Sequence, residues 1–126
     1  MRDSFPVGRH VIADICGVRP DLLRDAERIM GVLRDALQQA GFRKLEEVSH
    51  RFSGGGEGFT GVILLAESHA AVHTYPERGY LALDVFGCGA ADPHPVVEAL
   101  LEDLGAVDCR VRELERSTEA EELTHA

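Results

Sequence analysis

Three strand-length segments follow one another almost without a gap between Thr60 and Phe86, and this crowding restricts the fold more than any other feature of the chain. Residues 60–66 and 70–74 are separated only by Glu67-Ser68-His69, and residues 80–86 follow after one short turn. Leu81, Leu83 and Val85 alternate onto one face, as a half-buried strand requires. Three strands therefore meet around a single junction.

The flanking sequence supplies more strands and two helices. Val11, Ile12 and Ile15 mark a strand over residues 10–16, closed by Gly17, and a further strand is expected over residues 43–52. Between them Pro20 suits a first helical turn. Leu22, Ala26, Ile29, Leu33, Leu37 and Ala40 then recur at three- and four-residue steps up to Gly41, the pattern of one amphipathic helix. Residues 53–58, Ser-Gly-Gly-Gly-Glu-Gly, form a loop in which backbone freedom is greatest. Val96, Val97, Leu100, Leu101 and Leu104 before Gly105 predict a second helix, entered through Pro93 and Pro95. Val107, Cys109 and Val111 alternate as a last strand, and an acidic, frayed tail is expected from Ser117. Strands that mostly follow one another, with only two helices, favour an α+β fold: a two-layer sandwich of a mainly antiparallel sheet with both helices on one face.

Length and charge narrow the function classes. A chain of 126 residues makes one domain, 1–126, with a real core. Thirteen basic against twenty-two acidic residues, with no Lys/Arg run, argue against nucleic acid. The longest apolar run, residues 62–66, is far too short to cross a membrane, and Met1-Arg2-Asp3-Ser4 leads into no signal-type segment, so a cytoplasmic protein is expected. Cys16, Cys88 and Cys109 are odd in number and contain no Cys-x-x-Cys pair, which argues against a disulfide framework or a zinc ribbon. No metal is expected, and Cys16 and Cys109 receive no role.

Chemistry-bearing side chains are densest between Glu67 and Cys88. Taken singly, Ser68 and His69 read as hairpin residues, His73 as a strand residue with a satisfied hydrogen bond, and Cys88 as a small side chain between Gly87 and Gly89. Together they form a specific string: Glu67-Ser68-His69-Ala70-Ala71-Val72-His73-Thr74-Tyr75-Pro76-Glu77, then Gly79-Tyr80, Asp84 and Cys88-Gly89. With Gly8-Arg9-His10, His50-Arg51-Phe52 and Thr60-Gly61 in the same order, the chain resembles the short, pyruvoyl-dependent bacterial S-adenosylmethionine decarboxylases over about its first hundred residues.

That resemblance implies autocatalytic cleavage between Glu67 and Ser68, giving a β chain of residues 1–67 and an α chain of residues 68–126. Ser68 becomes a pyruvoyl group after an N-to-O acyl shift and β-elimination, helped by a strained turn. His73 is implied as the processing acid/base and Thr60, where relatives carry serine, as a hydroxyl supporting the oxyanion. In the mature enzyme the pyruvoyl carbonyl forms a Schiff base with the substrate, and Cys88 returns a proton to carbon. Phe52 and Tyr75 match rings that stack on adenine, and Glu77 matches the acid that holds the ribose hydroxyls. Dimers of αβ units and a role in spermidine synthesis are implied by the same resemblance.

Departures from the family pattern leave two alternatives. The loop of residues 54–58 is longer and richer in glycine than in relatives, Gly87 stands where threonine is usual, and Thr60 and Tyr75 also differ. A pyruvoyl decarboxylase of ornithine or arginine on the same scaffold fits these changes, as does an unprocessed, non-catalytic partner subunit.

Overall fold

The computed structural model describes residues 6–106 and 108–118. Strands β1 (Pro6–Cys16), β2 (Lys44–Arg51), β3 (Phe59–Leu65), β4 (Ser68–Tyr75), β5 (Tyr80–Cys88) and β6 (Asp108–Ser117) form one sheet in the order β2-β3-β4-β5-β1-β6. Every neighbouring pair is antiparallel. Helices α1 (Pro20–Leu23), α2 (Ala26–Gln39) and α3 (His94–Leu104) complete the fold, so the expected α+β two-layer arrangement stands.

Alternation along the strands decides which face the helices cover. In β5 every second residue is buried, with Leu81, Leu83 and Val85 at 1% exposure or less, and β1 contributes Val11, Ala13 and Ile15 to the same side. Ile63, Leu65, Ala70 and Val72 extend this layer, and Ile29, Leu33, Leu37, Val96 and Leu100 close over it. Burying a side chain of this size contributes about 1.5–3 kcal/mol, so this layer is the chief source of stability. The opposite face, with His10, Ile12, Thr60, Val62, Leu64, His69, His73, Ala82, Asp84 and Phe86, has no helix on it and is only half-buried or exposed.

Three elements differ from the sequence reading. The single helix expected from Pro20 is two: its first turn ends at Leu23, and Asp25 starts a new helix by accepting a hydrogen bond from the Arg28 amide, as an N-cap does. The apolar spacing continues across the break, which is why periodicity alone joined the two. Strand β6 runs to Ser117 rather than ending near Val111, because backbone pairing with β1 over ten positions outweighs a charged, exposed sequence. The tail expected from Ser117 lies, after Thr118, outside the described residues, as does Val107. β4 also starts earlier than expected, at Ser68 itself.

Candidate active site

β3 and β4 make a tight hairpin whose last paired residues are Leu65 and Ser68. Ala66 and Glu67 are left to turn the chain, and Glu67 does so at φ 57°, in the left-handed region. A non-glycine residue there costs about 1–2 kcal/mol. The bond following this strained residue is the one the sequence marks for cleavage. Ser68 is 7% exposed, and its Oγ accepts a hydrogen bond of 3.0 Å from the Cys88 amide. Ser68 and Cys88 are therefore held side by side at the β4–β5 pairing.

The tightness continues on β5. At Gly87 a Cβ would stand 2.9 Å from Pro93 Cγ and 3.1 Å from the Ala91 carbonyl oxygen, so the entry to α3 lies directly against the backbone beside Cys88. Threonine does not fit this position unless the segment before α3 moves. The glycine noted as a departure thus belongs to a close-packed contact between β5 and the segment that enters α3, one residue before Cys88.

At the other end of β4, Thr60 pairs with His73 across the β3–β4 ladder, and the Thr60 hydroxyl and His73 Nδ1 share a hydrogen bond of 2.9 Å. Both face away from the helices. They border a cavity of about 360 Å³ that is also lined by Phe52, Tyr75, Glu77 and the glycines of residues 54–58. Phe52 and Tyr75 are 49% and 43% exposed, so neither ring is spent on the core. A Cβ on Gly56 would fall on the Glu77 carboxylate, so only glycine lets this loop close onto that acid. Arg24 fastens the loop from below, its Nε donating to the Gly56 carbonyl at 3.0 Å.

Tyr75 also lies 5.6 Å, ring to ring, from Tyr80. The Tyr80 hydroxyl donates to Asp14 at 2.5 Å, and this bond, with burial behind it, pushes the phenol up to about 12. Tyr80 stays a neutral donor through the physiological range and fixes the floor on which Tyr75 rests.

The predicted residues thus fall into two groups. Glu67, Ser68 and Cys88 share one end of β4, and Phe52, Thr60, His73, Tyr75 and Glu77 share the other. His73 lies five steps along the strand from Ser68, roughly 17 Å at strand spacing, and the two side chains lie on opposite faces. Within one chain His73 does not reach Ser68. Sequence reasoning gave no role to His10 and Asp84, which the fold joins to His69 on the open face. No spacing could have linked residues so far apart in the chain.

The family model for S-adenosylmethionine decarboxylase matches residues 9–117. A Pelotomaculum thermopropionicum protein named S-adenosylmethionine decarboxylase proenzyme is 41% identical over 111 residues, covering 87% of this chain and 86% of that one. A Pyrococcus horikoshii protein of the same name is 37% identical, covering 94% and 84%. Among solved structures, the adenosylmethionine decarboxylase from Aquifex aeolicus superposes with a TM-score of 0.80 at 30% identity, covering 89% of this chain and 92% of that one.

Proposed function

Because the chain belongs to the S-adenosylmethionine decarboxylase family, we propose that it is a proenzyme that cuts its own Glu67–Ser68 bond and then decarboxylates S-adenosylmethionine. Residues 1–67 and 68–126 remain together as β and α chains. The product serves as aminopropyl donor for spermidine synthesis in the cytoplasm.

The observation that carries this reading is the turn at Glu67, strained in the left-handed region immediately before a buried serine. Ser68 Oγ attacks the Glu67 carbonyl carbon. The ester bond forms as the peptide C–N bond breaks, and the nitrogen of residue 68 becomes a free amine. Removal of the Ser68 Cα proton then expels the oxygen with the Glu67 carboxylate, and water releases the nitrogen as ammonia. Relief of the left-handed backbone at Glu67 favours the first of these steps.

The base for the proton is His73. If Nδ1–H donates to the Thr60 oxygen, Nε2 keeps its lone pair for the proton, and the Thr60 hydroxyl hydrogen remains available to the oxyanion of the acyl shift. One threonine can therefore orient the histidine and support the oxyanion together. Since His73 and Ser68 stand at opposite ends of β4, the reading requires a second copy. In a homodimer whose helix-free faces meet, the Ser68 end of one chain lies against the His73 end of the other. Exposed Val48, Leu64 and Leu114 on the sheet favour such burial.

The pyruvoyl carbonyl left at residue 68 supplies the electron sink for loss of carbon dioxide. Cys88, fixed beside it, returns a proton to the substrate carbon. Phe52 and Tyr75 stack on the adenine, and Glu77 accepts hydrogen bonds from the ribose hydroxyls, in a cavity of the size small ligands use.

Intact mass spectrometry, paired with carbon dioxide release from S-adenosylmethionine, ornithine and arginine, tests the proposal. Two chains divided before Ser68 and turnover of S-adenosylmethionine are expected. Divided chains active only on ornithine or arginine overturn the substrate, and an uncut, inert chain leaves a non-catalytic partner subunit.

A further inference from the structure

On the helix-free face His10 of β1, His69 of β4 and Asp84 of β5 converge, although 74 and 15 residues separate the two histidines from the aspartate. Each imidazole holds Nε2 at 3.2 Å from the same Asp84 Oδ1. The three atoms all lie within 4.8 Å of one another. Ligand atoms around one small divalent ion at about 2.1 Å stand roughly 3.3 Å apart in a tetrahedral shell, so the spacing to Asp84 is already that of a bound set.

The supports are rigid. β4, β5 and β1 are adjacent, and the register places His69 opposite Phe86 and Phe86 opposite His10. Both imidazoles lie against the Phe86 ring, at 5.8 and 6.0 Å between centroids. Side-chain exposures of 20%, 40% and 29% for His10, His69 and Asp84 leave room for an ion in the single chain, and in the proposed dimer the same cluster lies between the two sheets, where an ion is enclosed.

We propose that His10, His69 and Asp84 form a binding site for one divalent ion of the borderline class, Zn²⁺, Co²⁺ or Ni²⁺, with its remaining positions filled by water. Two imidazoles and one carboxylate suit these ions, whereas Mg²⁺ and Ca²⁺ take oxygen sets. On binding, each ring carries its proton on Nδ1, and the two hydrogen bonds to Asp84 are exchanged for metal bonds. The ion plays no part in decarboxylation. It fixes His69, the residue that follows the cut bond, to two neighbouring strands.

Calorimetric titration of the metal-stripped full protein with Zn²⁺, and the visible spectrum of its Co²⁺ form, test the site. One ion per chain, at a roughly micromolar dissociation constant, is expected with cobalt bands of a low-symmetry nitrogen and oxygen site. Asp84→Asn and His10→Asn should each weaken binding tenfold or more while the melting temperature without metal changes little. No binding by the unaltered protein, or binding unchanged in both variants, overturns the proposal, the latter by assigning the ion to the thiols or to other histidines. These readouts are independent of cleavage and turnover.

Discussion

At its first residue β4 is enclosed, and at its last it opens onto a cleft. Ser68 is 7% exposed and pinned by the Cys88 amide, and one residue before Cys88 the entry to α3 leaves Gly87 no room for a Cβ. Tyr75 is 43% exposed, and the loop beside it contains four glycines, of which Gly56 lies so close to Glu77 that a Cβ would meet the carboxylate. The first end suits chemistry on the chain itself, where one geometry has to be held. The second suits a diffusing ligand, which has to enter and leave. In the proposed reading one strand thus divides bond-making from recognition, and a second copy brings the two together.

The largest expected effect breaks the first end outright: Ser68→Ala should abolish both cleavage and decarboxylation, read by intact mass and carbon dioxide release. His73→Ala should block cleavage too. Co-expressing the two inactive variants should restore cut α chain in mixed dimers, because one of the two sites then regains both Ser68 and His73. Absence of any cut chain in verified mixed dimers would place both groups in one subunit.

Cys88→Ala separates the steps at the closed end. Cleavage should proceed, while kcat falls by about a hundredfold or more, the usual contribution of a positioned general acid. A smaller effect is expected at the open end, where Gly56→Ala displaces the Glu77 carboxylate. The Michaelis constant for S-adenosylmethionine should rise about tenfold, as for a lost hydrogen bond to a charged group, with cleavage unchanged. An unchanged constant would remove Glu77 from the ribose contact.

The smallest effect lies away from both ends. Arg34 donates to Glu47 through two nitrogens at 2.9 and 2.7 Å, and with Lys44 it holds the Glu47 carboxyl down to about 2. Stability from this pair is complete above the ordinary carboxylate pKa and lost as pH falls from about 5 towards 2. Glu47→Gln should cost about 0.5–1 kcal/mol near neutrality, and the difference in urea midpoint should vanish near pH 2.

Much of this was legible in the sequence because it is local. The period-two pattern of β5 and the glycine stop after α3 depend on neighbours in the chain, and the structure places them as expected, whereas the hairpin junction expected over residues 67–69 turns at Ala66-Glu67. The break at Arg24 was not legible, since Asp25 caps a helix without disturbing the apolar spacing. Nor was most of β6, whose Arg110, Arg112, Glu113 and Glu115 carry no strand signal and gain their conformation from the β1 backbone. The residues proposed for cleavage, turnover and substrate contact could all be named from sequence. Their division between two ends could not, because alternation and rise along β4 turn five residues into a separation that only three dimensions express.

The sheet order has a consequence for the protein's lifetime. β1, β2 and β3 precede the proposed cut between Glu67 and Ser68 and β4, β5 and β6 follow it, yet β1 lies between β5 and β6. The two mature fragments are therefore interleaved, with three ladders crossing between them, β3–β4, β5–β1 and β1–β6. Before cleavage, a single chain guides every strand into place. Afterwards that guidance is gone, and recovery from full denaturation becomes an encounter between two molecules, slower at greater dilution. Cleavage as proposed converts a self-renewing fold into one that is assembled once and then survives by the slowness of its coming apart.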